Sequence, residues 1–293
     1  MRVCIFCGKL PLTREHVYPQ WLQQFSAPQS FIRREGSYQA PFPQTVVRQN
    51  AQGKYVEIDE YRGNRTPNLH EVTVKTVCAS CNNGWMSALE NSVRKPLKKM
   101  ANPPRPEPHL VDAHTKTLLA AWAYKCFLMY DQYRDPRDRV FLEDDFVAFK
   151  NAKRPPRTSR IYMGTTNSPL STFSMWHETH LLILDRNVDA QTALATNPRN
   201  LASSLLGVQG VYFIQQYCKP DIPWTPPARR AIDLAAMTAI ETTPAYRIWP
   251  PNNKHLNWPP QVTSDSQFEN ARLALLRVMN ALPALAERAE TLD

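Results

Sequence analysis

Two short stretches of the sequence, Cys4-Ile-Phe-Cys7 and Cys78-Ala-Ser-Cys81, share one spacing and decide the expected fold. Two residues between cysteines let both thiolates turn toward one ion, and two such pairs complete a tetrahedral four-cysteine shell of the structural zinc type. This shell has no open coordination position, so we expect Zn2+ to hold the fold without taking part in chemistry. A redox pair or unrelated core thiols stay open as alternatives.

The residues that follow each cysteine pair form a second pattern. After the first pair the sequence reads Glu15-His16-Val-Tyr-Pro19, and the second pair runs directly into Asn82-Asn-Gly-Trp-Met86. The combination resembles the HNH endonucleases, the zinc-knuckle branch of the ββα-metal (His-Me finger) nucleases. In that family two CxxC pairs enclose an acidic residue, a histidine and a proline. The chain is most similar to the subgroup with Glu-His-Val and Cys-Asn-Asn-Gly-Trp-Met, and the resemblance covers residues 4–100.

The resemblance implies a metal-dependent endonuclease that hydrolyses phosphodiester bonds in DNA. It makes His16 the general base that activates water, a task that suits a neutral imidazole titrating near the operating pH. It makes Glu15 and Asn82 ligands of a catalytic Mg2+ or Mn2+, which stabilises charge on the scissile phosphate. Double-stranded DNA is the implied partner, and a double-strand break would need a homodimer or two visits because one such site cuts one strand.

The sequence departs from the family pattern at the residue that orients the base histidine. The family places an asparagine of an Asn-Leu pair shortly before the second cysteine pair. Here Thr73 occupies that position, and the nearest Asn-Leu is Asn68-Leu69. Asn68 and Thr73 are therefore the two candidates for the residue that orients His16. The family often has Lys or His where this chain has Trp85, which we expect to pack into the helix core.

Positive charge is concentrated in the first third of the chain. The 293 residues carry 35 Lys and Arg against 26 Asp and Glu, a net charge of +9. Residues 1–105 hold 15 and 7 of these, whereas residues 106–293 hold 20 and 19. Concentrated Lys and Arg favour a polyanionic partner, with a plain solvated surface as the alternative. The candidate nucleic-acid contacts are Arg33, Arg34, Arg94, Lys95, Lys98 and Lys99.

A proline cluster at residues 102–108 divides the chain into two expected domains. Residues 1–102 form the zinc-bound nuclease domain, with an insertion at about 26–65, and residues 109–293 form a domain whose role is open between target recognition and oligomerisation. The fold class is α+β: a ββα-metal zinc-knuckle module with an insertion, followed by a mixed α/β domain.

Hydrophobic periodicity predicts the main elements. A strand over Val72–Val77 leads into the second cysteine pair, and a helix begins at Asn82. Pro96 should kink this helix or end it early. In the second domain we expect a helix capped by Asp112 and running to Tyr130. The other expected elements are a strand at Tyr55–Ile58, a helix over Phe141–Lys150, strands over Arg160–Gly164, His180–Asp185 and Val208–Gln215, and a closing helix opened by a capping box of Ser266 and Glu269.

Composition limits the remaining function classes. The N-terminal residues lack the apolar core of a signal peptide, and the most apolar stretch, Leu118–Tyr130, is too short to span a bilayer and contains Lys125. We therefore expect a soluble cytoplasmic protein without a membrane partner. Two other functions stay open beside the DNA nuclease: a non-catalytic zinc-knuckle protein that binds nucleic acid, and a nuclease directed at RNA.

Overall fold

Helices and mainly antiparallel sheets make up the chain in a computed structural model, which describes residues 2–25, 44–49, 55–60, 72–101, 108–167, 173–180, 201–219, 244–251, 255–264 and 266–268. Strands pair with strands and helices pack beside the sheets, so the predicted α+β class is confirmed. No described helix is both long enough and apolar enough to cross a lipid bilayer.

The first sheet brings the two cysteine pairs together. Strand β1 (Leu12–His16) pairs antiparallel with β4 (Thr73–Cys78), with Leu12 opposite Cys78 and His16 opposite Thr73. The register shifts between Thr13 and Glu15. The predicted strand at 72–77 is confirmed, and its observed bounds are Thr73–Cys78.

The helical segment that follows β4 has three parts. Helix α1 (Ala79–Cys81) leads into a π-helical turn (Asn82–Met86) and then into α2 (Ser87–Met100). Gly84 takes φ −91° and ψ −110°, which are not helical values, so the chain kinks there. The helix predicted from residue 82 onward is confirmed, and its expected apolar stripe is buried at Met86, Leu89, Val93 and Leu97.

Pro96 does not end α2 early, which was one of the two outcomes expected of it, the other being a kink. The helix continues to Met100, although proline lacks the N–H that would bond to the carbonyl of Ser92. Leu97 and Met100 are both buried in the last turn. Their burial stabilises this turn in spite of the missing hydrogen bond.

The insertion contains the expected strand. Strands β2 (Gln44–Gln49) and β3 (Tyr55–Glu60) form a separate antiparallel pair. The prediction for Tyr55–Ile58 is thus confirmed. Arg33, Arg34 and Asn68 lie outside the described residues.

Helix α3 (Ala113–Tyr133) forms the centre of the molecule. The Asp112 side chain accepts a hydrogen bond from the Thr115 backbone N–H at 2.7 Å, which confirms the predicted cap. Every residue from Leu119 to Gln132 is buried, including Cys126. The helix therefore contacts neighbours on all sides.

A six-stranded sheet lies against α3, in the order β10, β6, β9, β8, β7, with β12 beside β6. Its strands are β6 (Ser159–Thr166), β7 (Phe173–His180), β8 (Leu201–Val208), β9 (Val211–Cys218), β10 (Tyr246–Trp249) and β12 (Val262–Thr263). A further pair joins β5 (His109–Val111) to β11 (Leu256–Trp258).

One strand prediction in this sheet needs correction. The predicted strand Val208–Gln215 spans a hairpin, because Gln209 and Gly210 take positive φ values of 43° and 82° and turn the chain from β8 into β9. Of the strand predicted over His180–Asp185, only His180 lies within the described residues, where it belongs to β7. The strand predicted at Arg160–Gly164 is confirmed as part of β6.

The remaining helices show how local side chains set their starts. Helix α4 (Glu143–Ala152) matches the predicted helix, and Asp145 accepts the Leu142 backbone N–H at 2.8 Å. At the start of the last described helical turn, Ser264 and Gln267 form a capping box, in which each side chain bonds the other residue's backbone N–H. The predicted box paired Ser266 with Glu269. Ser266 is already helical, and Glu269 lies outside the described residues.

Buried side chains from both expected domains meet in one core. Phe6, next to the first cysteine pair, packs edge-on against Phe146 of α4 with 5.6 Å between ring centroids. The Tyr18 hydroxyl donates to the Gly207 carbonyl of β8. The cysteine-rich first sheet is thus packed against the second half of the chain, while the boundary at 102–109 stays a prediction.

Candidate functional site

The four cysteines of the two pairs converge at one end of the first sheet. Cys4 and Cys7 lie in the turn before β1, where the Gly8 N–H donates to the Cys4 carbonyl at 2.8 Å. Cys78 ends β4 and Cys81 ends α1. All four Sγ atoms lie within 4.8 Å of one another, and that of Cys7 is 3.5 Å from those of Cys78 and Cys81.

This spacing suits one tetrahedral metal ion. Zinc–thiolate bonds of about 2.3 Å place the sulfurs of a tetrahedral set about 3.8 Å apart. All four cysteines are free thiols. The cluster can therefore hold a structural metal such as zinc, as the cysteine spacing predicts.

Burial and hydrogen bonds act on the thiols unequally. Burial raises the pKa of the Cys78 thiol, but hydrogen bonds with Ser80 (3.1 Å) and the Cys81 backbone outweigh it and lower that pKa to about 6. Burial, helped by the neighbouring Cys7 thiol, raises the pKa of Cys81 to about 12. Burial also raises the pKa of Cys4. A bound cation would allow all four thiols to lose their protons together.

Asn82 is tied to β1 by its side chain. Its Nδ2 donates to the Thr13 hydroxyl at 3.2 Å and to the Arg14 carbonyl at 3.3 Å. Its Oδ1 has no hydrogen-bond partner within the described part of the chain. The helix start is therefore held against the strand that carries Glu15 and His16, with one amide oxygen left to bind a cation or water.

Glu15 is buried, and its partner comes from α3. The Lys125 ammonium donates to Glu15 Oε1 and, at 2.7 Å, to Glu90 Oε1 of α2. Lys125 is fully buried. Burial alone would lower the pKa of Lys125, but the two carboxylates outweigh burial and raise it above its ordinary value. The ammonium is thus a permanent positive charge between two carboxylates.

His16 occupies the other face of β1, because neighbouring strand residues point to opposite sides. Its Nε2 lies 3.1 Å from the Gln20 side-chain nitrogen. An amide nitrogen only donates, so in this orientation the Gln20 amide donates and His16 Nε2 accepts. Thr73 stands directly opposite His16 on β4. Among the residues described here, His16 makes no hydrogen bond to Glu15 or Asn82.

The functional assignment rests on these residues themselves. Comparison with protein-family models, curated proteins and solved structures finds no match. The likeness to HNH endonucleases therefore stays a hypothesis carried by the two cysteine pairs, Glu15-His16 and Asn82. The structure adds that these residues lie on adjoining elements next to a cluster of four cysteines that could hold a metal ion.

The basic residues of α2 are exposed. Lys95, Lys98 and Lys99 point to solvent, and the Arg94 guanidinium lies 5.4 Å from the centroid of the Trp21 ring. A second basic group is the Lys153 ammonium, 4.2 Å from the centroid of Trp85 in the turn after Cys81. Trp85 itself is half-buried and packs against Phe6 and Phe149, as expected of a core-facing residue. Binding of nucleic acid by these residues stays a prediction.

Two neighbours of the candidate site were not expected from the sequence. Gln20 contacts His16 from four residues further along the chain, and neither Asn68 nor Thr73 is needed to explain that contact. Lys125 reaches Glu15 across 110 positions of sequence. A lone lysine inside the apolar stretch Leu118–Tyr130 is a signal for a buried ion pair, but it does not name the partner.

Proposed function

We propose that this chain is a metal-dependent endonuclease of the HNH type that hydrolyses phosphodiester bonds in DNA. The observation that carries the proposal is the attachment of Asn82 to β1 through Thr13 and Arg14. These hydrogen bonds hold the helix that follows the four-cysteine cluster against the strand that carries Glu15 and His16. Zinc in the cluster would stabilise this arrangement without taking part in the reaction.

His16 is the proposed general base. In a neutral imidazole one ring nitrogen donates and the other accepts, so the nitrogen that Gln20 holds determines which one faces water. A turn of the Gln20 amide presents its oxygen instead of its nitrogen, which makes His16 Nε2 the donor and Nδ1 the free base. Either arrangement orients the imidazole ring.

The donor set of the site fits a hard divalent cation. Carboxylate and amide oxygens are the ligands that Mg2+ and Mn2+ prefer, and Glu15 Oε2 and Asn82 Oδ1 both lack a partner in the described residues. When bound, the ion would stabilise charge on the scissile phosphate.

A double-stranded DNA substrate is supported by the exposed lysines of α2 and by the excess positive charge of the first third of the chain. Each phosphate that such a lysine neutralises should contribute about −0.9 to the slope of log affinity against log salt concentration, so binding weakens as salt is added. A double-strand break requires two copies of the chain or two visits, because each site cuts one strand.

A non-catalytic zinc-knuckle protein that binds nucleic acid is the second candidate. One observation favours it: Glu15 is already paired with Lys125, and His16 with Gln20. In that case both residues would stabilise the fold and the basic surface alone would act. RNA as the substrate is the third candidate, since the proposed chemistry does not distinguish the two backbones.

Incubation of the purified chain with supercoiled plasmid, and separately with a structured RNA, tests the proposal. We expect nicked circles in Mg2+ or Mn2+ and none in EDTA, with the RNA intact. A mobility shift of the plasmid without nicking in either ion would support the non-catalytic candidate and refute the nuclease. Cleavage of the RNA alone would move the substrate from DNA to RNA.

A further inference from the structure

We propose that Lys125 is a positioning residue for the Glu15 carboxylate, so that α3 completes the candidate centre from outside the first cysteine-rich region. The inference rests on the proposed function in one respect: it takes Glu15 as a cation ligand. The inference thereby adds to the candidate site a residue of α3, which lies outside residues 4–100, the range that the HNH-like motif covers.

The contacts come from three separate elements. Glu15 lies on β1, Glu90 on α2 and Lys125 on α3, and the ammonium bonds one oxygen of each carboxylate. Lys125 is fully buried, and the Glu15 side chain is only 8% exposed. A buried ammonium without partners is strongly unfavourable, so the fold keeps Lys125 between the two carboxylates. The Glu15 carboxylate therefore has one fixed orientation.

The second carboxylate oxygen of Glu15, Oε2, is the atom that would bind the cation. Lys125 occupies Oε1, and the described chain supplies no partner for Oε2. The Asn82 side chain is bonded to the Thr13 hydroxyl and to the carbonyl of Arg14, the residue that precedes Glu15 on β1. These bonds hold the start of the helix beside the strand segment that carries Glu15. A ligand carboxylate held by an outer hydrogen bond is already oriented when the cation arrives.

The charge of the cluster is compatible with cation binding. Two carboxylates and one ammonium leave a net charge of −1, which attracts a divalent ion. Without Lys125, the two neighbouring carboxylates would repel each other. Lys125 thus holds the two carboxylates close together as well as orienting Glu15.

A charge-matched double variant, Lys125→Met with Glu90→Met, tests the positioning role. It keeps the net charge of −1 on Glu15, fills similar volume and removes the hydrogen-bond donor. Replacement of the Lys125–Glu90 pair by apolar residues is often tolerated, but the buried Glu15 carboxylate loses its ammonium, so near-ultraviolet circular dichroism first checks that the variant is folded. The measurement is Mn2+ binding to the full zinc-loaded chain, followed by the EPR signal of free Mn2+. We expect affinity to fall about 10- to 100-fold, with zinc content unchanged.

The matched control is Lys116→Met, which replaces another buried lysine of α3 and should leave Mn2+ affinity unchanged. An equal affinity in the wild type and the double variant would overturn the inference. The inference would also be overturned if Glu15→Gln bound Mn2+ with the wild-type affinity, or if the wild type bound no Mn2+. Failure of the proposed function is distinguishable: Glu15-dependent Mn2+ binding without DNA cleavage refutes the nuclease alone, whereas His16-dependent cleavage with unchanged Mn2+ affinity refutes the role of Lys125 alone.

Discussion

Cys78 connects three parts of the candidate site: the turn that carries the first cysteine pair, the first sheet and the helix that follows β4. It ends β4, its sulfur lies 3.5 Å from that of Cys7, and its thiol bonds the Ser80 hydroxyl at the start of the helix. A metal ion bound there would join the first turn, the sheet and the helix. The ion would thereby maintain the distance between β1 and Asn82.

Replacement of Cys78 by serine should remove the metal. We expect about one zinc ion per wild-type chain and close to none in Cys78→Ser, because a tetrahedral site rarely keeps its ion with three thiolates. Metal analysis of the purified proteins measures this, with near-ultraviolet circular dichroism as the measure of packing. Cys126→Ser, a buried cysteine outside the cluster, is the control and should retain its zinc. Equal zinc in Cys78→Ser and the wild type would contradict the four-cysteine site.

Residues close in sequence were easier to predict than residues brought together by the fold. The spacing of the cysteine pairs identified all four members of the cluster, because each pair is a local pattern. The partner of Glu15 could not be identified in this way, since Lys125 is 110 positions away and periodicity places it only on a buried helix. The contact of His16 with Gln20 is local but follows no pattern that distinguishes one polar residue from the next.

Helix α2 is the element whose stability is least explained by its own sequence. Pro96 interrupts its hydrogen bonds, yet the helix reaches Met100. The buried residues of its apolar stripe pack toward α3, and this packing outweighs the local penalty.

Substitution of Pro96 by alanine should stabilise the protein. Alanine restores one backbone hydrogen bond and removes a clash, which is worth up to about 3 kcal/mol, reduced by the greater freedom of the unfolded chain. We expect the free energy of unfolding to rise by about 1–2 kcal/mol in urea titrations. Lys95→Ala, a neighbouring exposed position, should change it by less than about 0.5 kcal/mol. A decrease in Pro96→Ala would show that the proline conformation is needed.

Element types were predictable where one face is buried over several turns, and boundaries were less so. The helix at Asp112 was correctly placed because its cap and its apolar run agree. The turn at Gln209-Gly210 was missed because apolar residues continue on both sides of it. The sequence contains two capping-box patterns two residues apart, Ser264 with Gln267 and Ser266 with Glu269. The pattern alone does not distinguish them, and the prediction named the second.

A buried polar network links α3 to the large sheet. His177 Nδ1 lies 2.6 Å from the Ser204 hydroxyl, and its Nε2 lies 3.0 Å from Asp131 Oδ1. The same carboxylate accepts the backbone N–H groups of Val140 and Phe141. Burial lowers the pKa of His177, although Asp131 opposes part of this effect. The imidazole is therefore neutral in the folded protein near neutral pH.

Acid should destabilise the whole molecule through His177. Its folded pKa lies below the ordinary value of about 6.5, so the unfolded chain binds the proton first and the free energy of unfolding falls as the pH drops below about 6.5. The stability difference between the wild type and His177→Gln should thus shrink between about pH 7 and about pH 5.5, as measured by urea titration at each pH. A constant difference for His177→Gln would contradict the assignment.

At the scale of the whole molecule, one core joins the cysteine-rich sheet to the second half of the chain, and Lys125 belongs to it. The central claim is that this assembly presents His16 as a general base. Nicking of supercoiled plasmid by His16→Ala in Mg2+ or Mn2+ tests it most directly, with zinc content and DNA binding measured on the same preparation. We predict a loss of at least about 100-fold in nicking rate with both properties retained. Nicking at the wild-type rate would contradict the account.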